Sequence, residues 1–189
     1  TGYGLTFGLH TRIDETISRV VSRVDAGNIY VNRNIIGATV GVQPFGGSGL
    51  SGTGPKAGGP LYLGRLLQRA PHNAVLARDP SAAVLAPARL YTDWLKTIGH
   101  DAEAECVVGY MARSVLGASI ELSGPVGERN VYILKPRGHI AALASAKNEI
   151  LVQMGAILAT GNTAVVESGN PVAILLDKLP PALTNHIAR

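Results

Sequence analysis

The chain has 189 residues, 46% of them hydrophobic, which is enough to bury one good core or two small ones. Its net charge of +4 comes from scattered basic residues, and only 5% of the residues are aromatic, so a nucleic-acid-binding surface is not predicted. The single cysteine, Cys106, excludes an internal disulfide and a cysteine-rich zinc site, and no apolar run is long enough for a transmembrane helix. The amino terminus has neither a basic start nor an apolar signal core, so we expect a cytoplasmic protein. Because the chain opens without Met on a glycine-rich turn, we expect it to be a segment of a larger protein.

Changes in composition along the chain predict two domains and a linker. Residues 1–70 are rich in glycine, and residues 71–87 carry three prolines among small and polar residues, as linkers do. The remaining residues, 88–189, form the second predicted domain.

The first domain begins with signals for a helix that leads into a strand. Thr11 and Asp14 have the spacing of a capping box, and apolar residues then recur at helical spacing, which predicts a helix over 13–25. Gly27 is expected to end this helix in the left-handed conformation, and 28–32 has the composition of a strand.

A long, shaped loop is predicted over 34–59, where neither helical nor strand periodicity is present. Residues 47–52 match G-x-G-x-x-G, the dinucleotide-binding fingerprint. That fingerprint needs a preceding strand and a following helix, whereas Pro44 and Phe45 precede it here and Pro55 follows. We therefore interpret these glycines as residues of tight turns.

The same loop offers backbone N–H groups that a small anion can approach. Successive amides around Ile36, Gly37 and Ala38 are candidates for a carboxylate-binding nest, with Phe45 as a wall for the apolar part of the ligand. On the residues alone, a loop that only turns the chain is the favoured alternative.

The end of the chain predicts a parallel crossover unit. Residues 131–134 and 140–143 have strand character, 148–160 has the apolar spacing of a helix ended by Gly161, and 163–166 is a further strand. A strand, a helix and a strand in this order indicate a Rossmann-type unit.

Several motifs in the first domain resemble the aldehyde dehydrogenase superfamily. They are GNIYVN at 27–32, QPFGG at 43–47, SGLSG at 48–52 and GPKAGG at 54–59. Within that superfamily, 32–38 and 40–47 resemble the glutamate-semialdehyde (pyrroline-5-carboxylate) dehydrogenases, and PLYLGRLL at 60–67 resembles the bifunctional proline-utilisation proteins. The resemblance implies an α/β fold: the end of an aldehyde dehydrogenase catalytic domain, followed by part of a degenerate Rossmann-type domain.

The resemblance also implies a function. It implies NAD-dependent oxidation of L-glutamate semialdehyde to glutamate in proline catabolism, in which a thiolate adds to the aldehyde, hydride leaves to NAD and water releases the product. The substrate carboxylate would be bound by the amides of Gly37 and Ala38, with Phe45 as the aromatic wall. The catalytic cysteine and glutamate, and most NAD contacts, are expected outside this chain, so that the isolated segment is inactive. A homo-oligomer, and an upstream FAD-dependent proline dehydrogenase domain, are further expectations.

Residues 136–142 and 159–166 resemble more weakly the first cofactor-domain strands of aldehyde dehydrogenases. This chain has Ala144, Ser145 and Glu167 where that family has a Trp-Asn-type strand end and a ribose-binding lysine. The second domain is therefore expected to be non-catalytic. Two hypotheses follow for the chain: a segment of a semialdehyde dehydrogenase, or a non-catalytic lid, docking or oligomerisation module. Cys106, which follows Glu103 and Glu105, is expected to be a buried or idle thiol.

Overall fold

The computed structural model describes residues 2–68 and 85–189. These residues form two compact units: the first contains 2–68 and Ile120–Tyr132, and the second contains 85–119 and Ile133–Arg189. Most of the predicted linker, 71–87, lies outside the described residues, and the predicted boundaries of 1–70 and 88–189 stay a prediction.

In the first unit, two short pairs of strands hold the start of the chain. β1 (Tyr3–Gly4) pairs antiparallel with β4 (Ser48–Gly49), and β2 (Thr6–Leu9) pairs parallel with β3 (Asn28–Val31). A parallel pair needs a crossover connection, and α1 (Asp14–Arg23) supplies it between β2 and β3.

The two ends of α1 differ from the prediction. The hydroxyl of Thr11 accepts the N–H of Ile13, and no side chain caps the helix, so the capping box is absent. The helix ends at Arg23 with Val24 in an extended conformation, and Gly27 does not have a positive φ. A glycine is needed at 27 for another reason, because a Cβ there would lie 1.8 Å from the carbonyl oxygen of Gly46.

The predicted loop over 34–59 is organised by short contacts. Phe45 and Ala57 form an isolated antiparallel bridge, and β4 contains two residues of the G-x-G-x-x-G match. In that match, Gly49 has a φ of 57°, and a Cβ at Gly47 would lie 2.3 Å from the carbonyl oxygen of Ser51. The next helical element is a 3-10 turn at Leu63–Leu66, so the interpretation as tight-turn glycines is confirmed.

A β-hairpin from the second half of the sequence also belongs to the first unit. β5 (Ser119–Leu122) and β6 (Asn130–Ile133) are neighbours in a two-stranded sheet, and the segment 123–129 between them is too short for a parallel crossover. The sequence predicted a strand at 131–134 but gave no sign of its partner β5. Nor did it indicate that residues 120–132 pack with the first unit.

The second unit begins with two helices that were not predicted, α2 (Ala86–Thr97) and α3 (Asp101–Arg113). Ala86 and Pro87, assigned to the linker by composition, lie in the first turn of α2. Proline fits there because the first N–H groups of a helix have no partner within the helix. Composition therefore did not reveal where this helix begins.

The crossover unit in the second half is confirmed. β7 (His139–Ala142), α4 (Lys147–Ala159) and β8 (Thr163–Val166) follow in order, and β7 and β8 are parallel. β9 (Ile187–Ala188) extends the sheet in the order β7-β8-β9, and a short helix, α5 (Ala173–Leu176), precedes it. Gly161 ends the α4 segment with a φ of 73°.

The core of the second unit lies where α4 packs against α2, α3 and the sheet. The α/β class is thereby confirmed. The largest fully buried side chains of the described residues come mostly from these helices and include Tyr91, Leu95, Val107, Ile150, Leu151, Met154 and Leu158.

Candidate substrate-anchor loop

The candidate site is the segment 34–42, which we call the anchor loop. Two residues before the loop begins, Asn32 turns the chain with a φ of 54°, and its side chain makes two hydrogen bonds to the backbone of Thr11, at 2.9 and 2.8 Å. Within the loop, the Oδ1 of Asn34 accepts the N–H of Ile36 at 2.7 Å. The entry to the loop is therefore held by side-chain to backbone hydrogen bonds, with no regular element.

The far end of the loop is held by Gln43. The N–H groups of Val42 and Gln43 both donate to the carbonyl oxygen of Thr39, at 3.1 and 3.0 Å. The side-chain Oε1 of Gln43 in turn accepts the N–H of Thr39 at 2.8 Å, and Gln43 is only 8% exposed. These three bonds set the direction of the backbone immediately after Ala38.

Between these two anchored ends, the N–H groups of Gly37 and Ala38 donate to no acceptor among the described residues. Gly37 is exposed, and a Cβ built there would have no described atom within 4 Å. The amide of Ile36 is already used by Asn34, so the three-amide nest considered from the sequence is reduced to two amides.

Phe45, the predicted aromatic wall, is positioned through its backbone. Its N–H and carbonyl groups exchange two hydrogen bonds of 3.0 Å with Ala57, and its side chain remains partly exposed. Asn28 supports the neighbouring backbone, since its Nδ2 donates to the carbonyl of Pro44 at 2.8 Å and its Oδ1 accepts the N–H of Gly46 at 3.2 Å.

Lys56 carries a half-buried positive charge in this region. Its Nζ donates to the Oδ1 of Asn28 and to the carbonyl oxygen of Gly46, both at 3.3 Å. Burial lowers the pKa of Lys56, because removing the ammonium from water disfavours its charged form. In Tyr132, burial raises the pKa of the hydroxyl, while a hydrogen bond from the backbone of Lys56 opposes that shift.

The second unit has a cavity of about 370 Å³ at the carboxyl ends of β7 and β8, lined by residues 142–145 and 167–171. Ligands of open parallel sheets bind at this edge. Here, however, the Oε1 of Gln153 accepts the N–H groups of Leu143 and Ala144, at 2.9 and 3.1 Å, and the lining includes Glu167 but no lysine or arginine. The residues present therefore do not fit the phosphates of a dinucleotide.

Other candidate chemistry is absent from the described residues. The thiol of Cys106 was expected to be either buried or idle. It lies exposed on α3, so the expectation of burial is wrong. No group of three or more His, Cys, Asp and Glu side chains gathers to hold a metal ion in the described part of the chain. Across residues 2–68 and 85–189, no helix is both long and apolar enough to cross a membrane.

Residues 1–69 match the aldehyde dehydrogenase family along their whole length. Over this segment, about a third of the chain, the sequence is similar to the aldehyde dehydrogenase family. Over 68 residues, 36% of the chain, it is also 48% identical to the 1-pyrroline-5-carboxylate dehydrogenase of Bacillus licheniformis, of which it covers 13%.

The similarity to one group of relatives extends along almost the entire chain. The chain is 52% identical over 95% of its length to the bifunctional protein PutA of Rhizobium meliloti, and 43% identical over 99% to that of Escherichia coli K12. It covers only 14% and 15% of these two proteins. The solved structure of proline utilization A from Corynebacterium freiburgense matches all of this chain and 20% of its own, with a TM-score of 0.54 and 26% identity.

Sequence reasoning singled out Gly37, Ala38 and Phe45 but missed the residues that hold them. Asn28 and Gln43 lie within the family motifs, yet a motif does not tell which side chain is buried or what it bonds. Glu128 carried no signal at all, because it is 85 positions from its partner Gln43.

Proposed function

We propose that the chain is part of an NAD-dependent L-glutamate γ-semialdehyde (1-pyrroline-5-carboxylate) dehydrogenase that acts in proline catabolism. The family match of residues 1–69 and the names of the relatives support this reaction class. Because the chain covers about a seventh of the PutA relatives, it is proposed to act within a longer cytoplasmic protein. That protein would also carry an FAD-dependent proline dehydrogenase domain.

The observation that carries the proposal is the pair of amides at Gly37 and Ala38 that donate to no described acceptor. A carboxylate accepts hydrogen bonds from two adjacent N–H groups, and its charge strengthens them. The substrate would place its carboxylate on these amides and its methylene groups against Phe45. This arrangement recognises the end of the substrate remote from the reacting aldehyde.

The chemical step is assigned to residues outside this chain. NAD would accept the hydride of the aldehyde, but the cavity of the second unit does not fit it, so NAD binding is also assigned elsewhere in the longer protein. What this chain contributes is substrate orientation.

For the second unit we propose a non-catalytic role as a lid, docking or oligomerisation module. The support is chemical: the amides of Leu143 and Ala144 at the sheet edge are occupied by Gln153, and Glu167 would repel phosphate. Replacing Glu167 with Arg or Lys is not expected to create NAD binding, because Gln153 would still occupy these amides.

The proposed function is tested by NADH formation in the full-length protein with L-1-pyrroline-5-carboxylate, which hydrolyses to the semialdehyde. Ala38→Pro removes one of the two free amides, and Gly37→Val places a side chain in the open space beside them. Each is expected to raise KM about tenfold or more, as the loss of a hydrogen bond to a charged group does.

Ala38→Gly is the matched control, because it keeps the N–H at the same position and is expected to retain most of the affinity. A protein that binds NAD but has lost affinity for the semialdehyde supports the anchor. Unchanged KM in both Ala38→Pro and Gly37→Val would reduce the assignment to an aldehyde dehydrogenase of unknown substrate.

A further inference from the structure

One carboxylate oxygen holds both ends of the anchor loop. The Oε2 of Glu128 accepts a hydrogen bond from the Nε2 of Gln43 at 3.0 Å and another from the guanidinium of Arg33 at 3.3 Å. Arg33 directly precedes the anchor loop 34–42 and Gln43 directly follows it. Glu128 lies in the turn of the β5–β6 hairpin, far away in the sequence.

The side chain of Gln43 connects Glu128 directly to the backbone of the anchor loop. The amide of Gln43 is buried and uses both of its polar atoms, with Oε1 on the N–H of Thr39 and Nε2 on Glu128. Because Nε2 can only donate, an acceptor at Glu128 selects the orientation in which Oε1 faces Thr39. Thr39 follows Ala38, so this orientation sets the direction of the free amides.

Arg33 is held on three sides. Its guanidinium lies 4.8 Å from the ring centroid of Tyr30, its Nε donates to the carbonyl oxygen of Asn34 at 3.3 Å, and its NH1 group pairs with Glu128. The bond to Asn34 connects Arg33 to the residue whose side chain binds the amide of Ile36. The entry of the loop is thereby coupled to the same carboxylate as its exit.

The hairpin has other contacts with the first unit that do not involve Glu128. Its Tyr132 accepts a hydrogen bond from the backbone of Lys56, and it lies close to Gly59. Gly124, which follows the end of β5, lies near Val42. The hairpin would therefore remain in place without the Glu128 side chain, whose own exposure is 32%.

We infer that Glu128 is a positioning residue that keeps the amides of Gly37 and Ala38 directed at the substrate carboxylate. The inference rests on the proposed function of the anchor loop. Glu128 touches neither substrate nor cofactor; it acts through Gln43 and Arg33. It determines how well the enzyme selects an aldehyde that carries a carboxylate.

The test compares two substrates in the full-length protein: L-1-pyrroline-5-carboxylate and butanal, which has no carboxylate. Glu128→Ala is expected to raise KM for the first about three- to tenfold, to leave kcat nearly unchanged, and to leave KM for butanal unchanged. A purely electrostatic role predicts the opposite sign, since removing a negative charge would favour an anionic substrate.

Two further variants separate positioning from general damage. Glu128→Gln keeps an oxygen that can accept from both Arg33 and Gln43, so KM is expected to stay close to wild type. Glu121→Gln removes a carboxylate from the same hairpin, where Glu121 pairs only with the exposed Arg129 at 3.1 Å, and is expected to change neither KM.

Gln43→Ala supplies an internal check. Because Glu128 acts largely through Gln43, the double variant is expected to show little more than the larger single effect. Hydrogen exchange of a peptide covering 34–43 is expected to speed up in Glu128→Ala but not in Glu121→Gln, because the N–H of Thr39 loses its fixed acceptor.

The outcomes distinguish this inference from the function on which it rests. If Ala38→Pro raises KM and Glu128→Ala does not, the anchor stands and the role of Glu128 is overturned. Equal rises in KM for both aldehydes, or a Glu128→Gln variant as impaired as Glu128→Ala, also overturn it. If Ala38→Pro has no effect, the proposed function falls first and the inference falls with it.

Discussion

The anchor loop and the helix α4 are stabilised by different kinds of interaction. Ile150, Leu151 and Met154 of α4 are fully buried, and the helix is held by apolar packing against its neighbours. The anchor loop has exposed apolar residues, with Ile36 at 89% and Val40 at 98%, and is held by a few side-chain to backbone hydrogen bonds.

This difference explains what each region can do. A packed helix tolerates many apolar sequences, but beyond its first turn each N–H is used within the helix. A loop held at its ends by Asn34 and Gln43 can leave the amides of Gly37 and Ala38 without a protein partner. The proposed recognition of a carboxylate therefore relies on the loop, whereas the helix contributes stability.

The largest effect is expected from a pair of glycine substitutions that tests the apolar packing of the helices. Gly155 of α4 lies against Val107, and a Cβ at 155 would be 2.1 Å from the Cγ2 of that fully buried, branched side chain. We expect Gly155→Ala to destabilise the second unit by about 2 kcal/mol, because overpacking outweighs the gain in helix propensity.

Gly109 of α3 is the control, because a Cβ there would meet only the end of the Arg113 side chain, at 3.8 Å. Gly109→Ala is expected to stabilise by about 0.5–1 kcal/mol. Denaturant unfolding of the full-length protein, combined with hydrogen exchange of α4, measures both. If both substitutions changed the free energy of unfolding in the same direction, the packing argument would be contradicted.

In the first unit the corresponding change is Asn28→Ala. It removes the donor to Pro44, leaving that carbonyl without this partner, and the acceptor for Gly46 and Lys56, for an expected loss of about 1–2 kcal/mol. The effect should be local: faster hydrogen exchange over 43–57 and a higher KM for the semialdehyde. Exchange in α4 should remain unchanged, and a change there would show that the stabilities of the two regions are not independent.

Sequence reasoning succeeded where structure follows from periodicity. It placed the strand at 163–166 as observed and α4 within one residue at each end, because apolar spacing carries that information. It missed α2, since Pro87 at the start of a helix has the same composition signal as a linker.

The candidate site was predicted only in part, for a physical reason. Gly37, Ala38 and Phe45 came from a family resemblance supported by the backbone chemistry of glycine-rich loops. The hydrogen bond between Gln43 and Glu128 joins residues 85 positions apart, and neither side chain has a spacing that could reveal the other. Polar contacts of this kind appear only when the chain has folded.

The smallest expected effect concerns Tyr91, which is fully buried beneath α4 and donates its hydroxyl to the carbonyl oxygen of Leu151 at 3.0 Å. Burial, followed by the charge of Glu103, raises the pKa of Tyr91 far above its usual value of 10.0. Tyr91→Phe removes one hydrogen bond, so at neutral pH we expect a loss of about 1 kcal/mol in the second unit.

The pH dependence of this variant has a definite sign. Above about pH 10 the unfolded chain releases the Tyr91 proton while the folded protein retains it, so the free energy of unfolding falls as pH rises, by about 1.4 kcal/mol per pH unit. The loss is absent below that pH. In Tyr91→Phe this contribution disappears, so the two proteins should converge in stability as the pH rises from 10 to 11. Parallel stability curves over that range would mean that the hydroxyl reaches water in the native state.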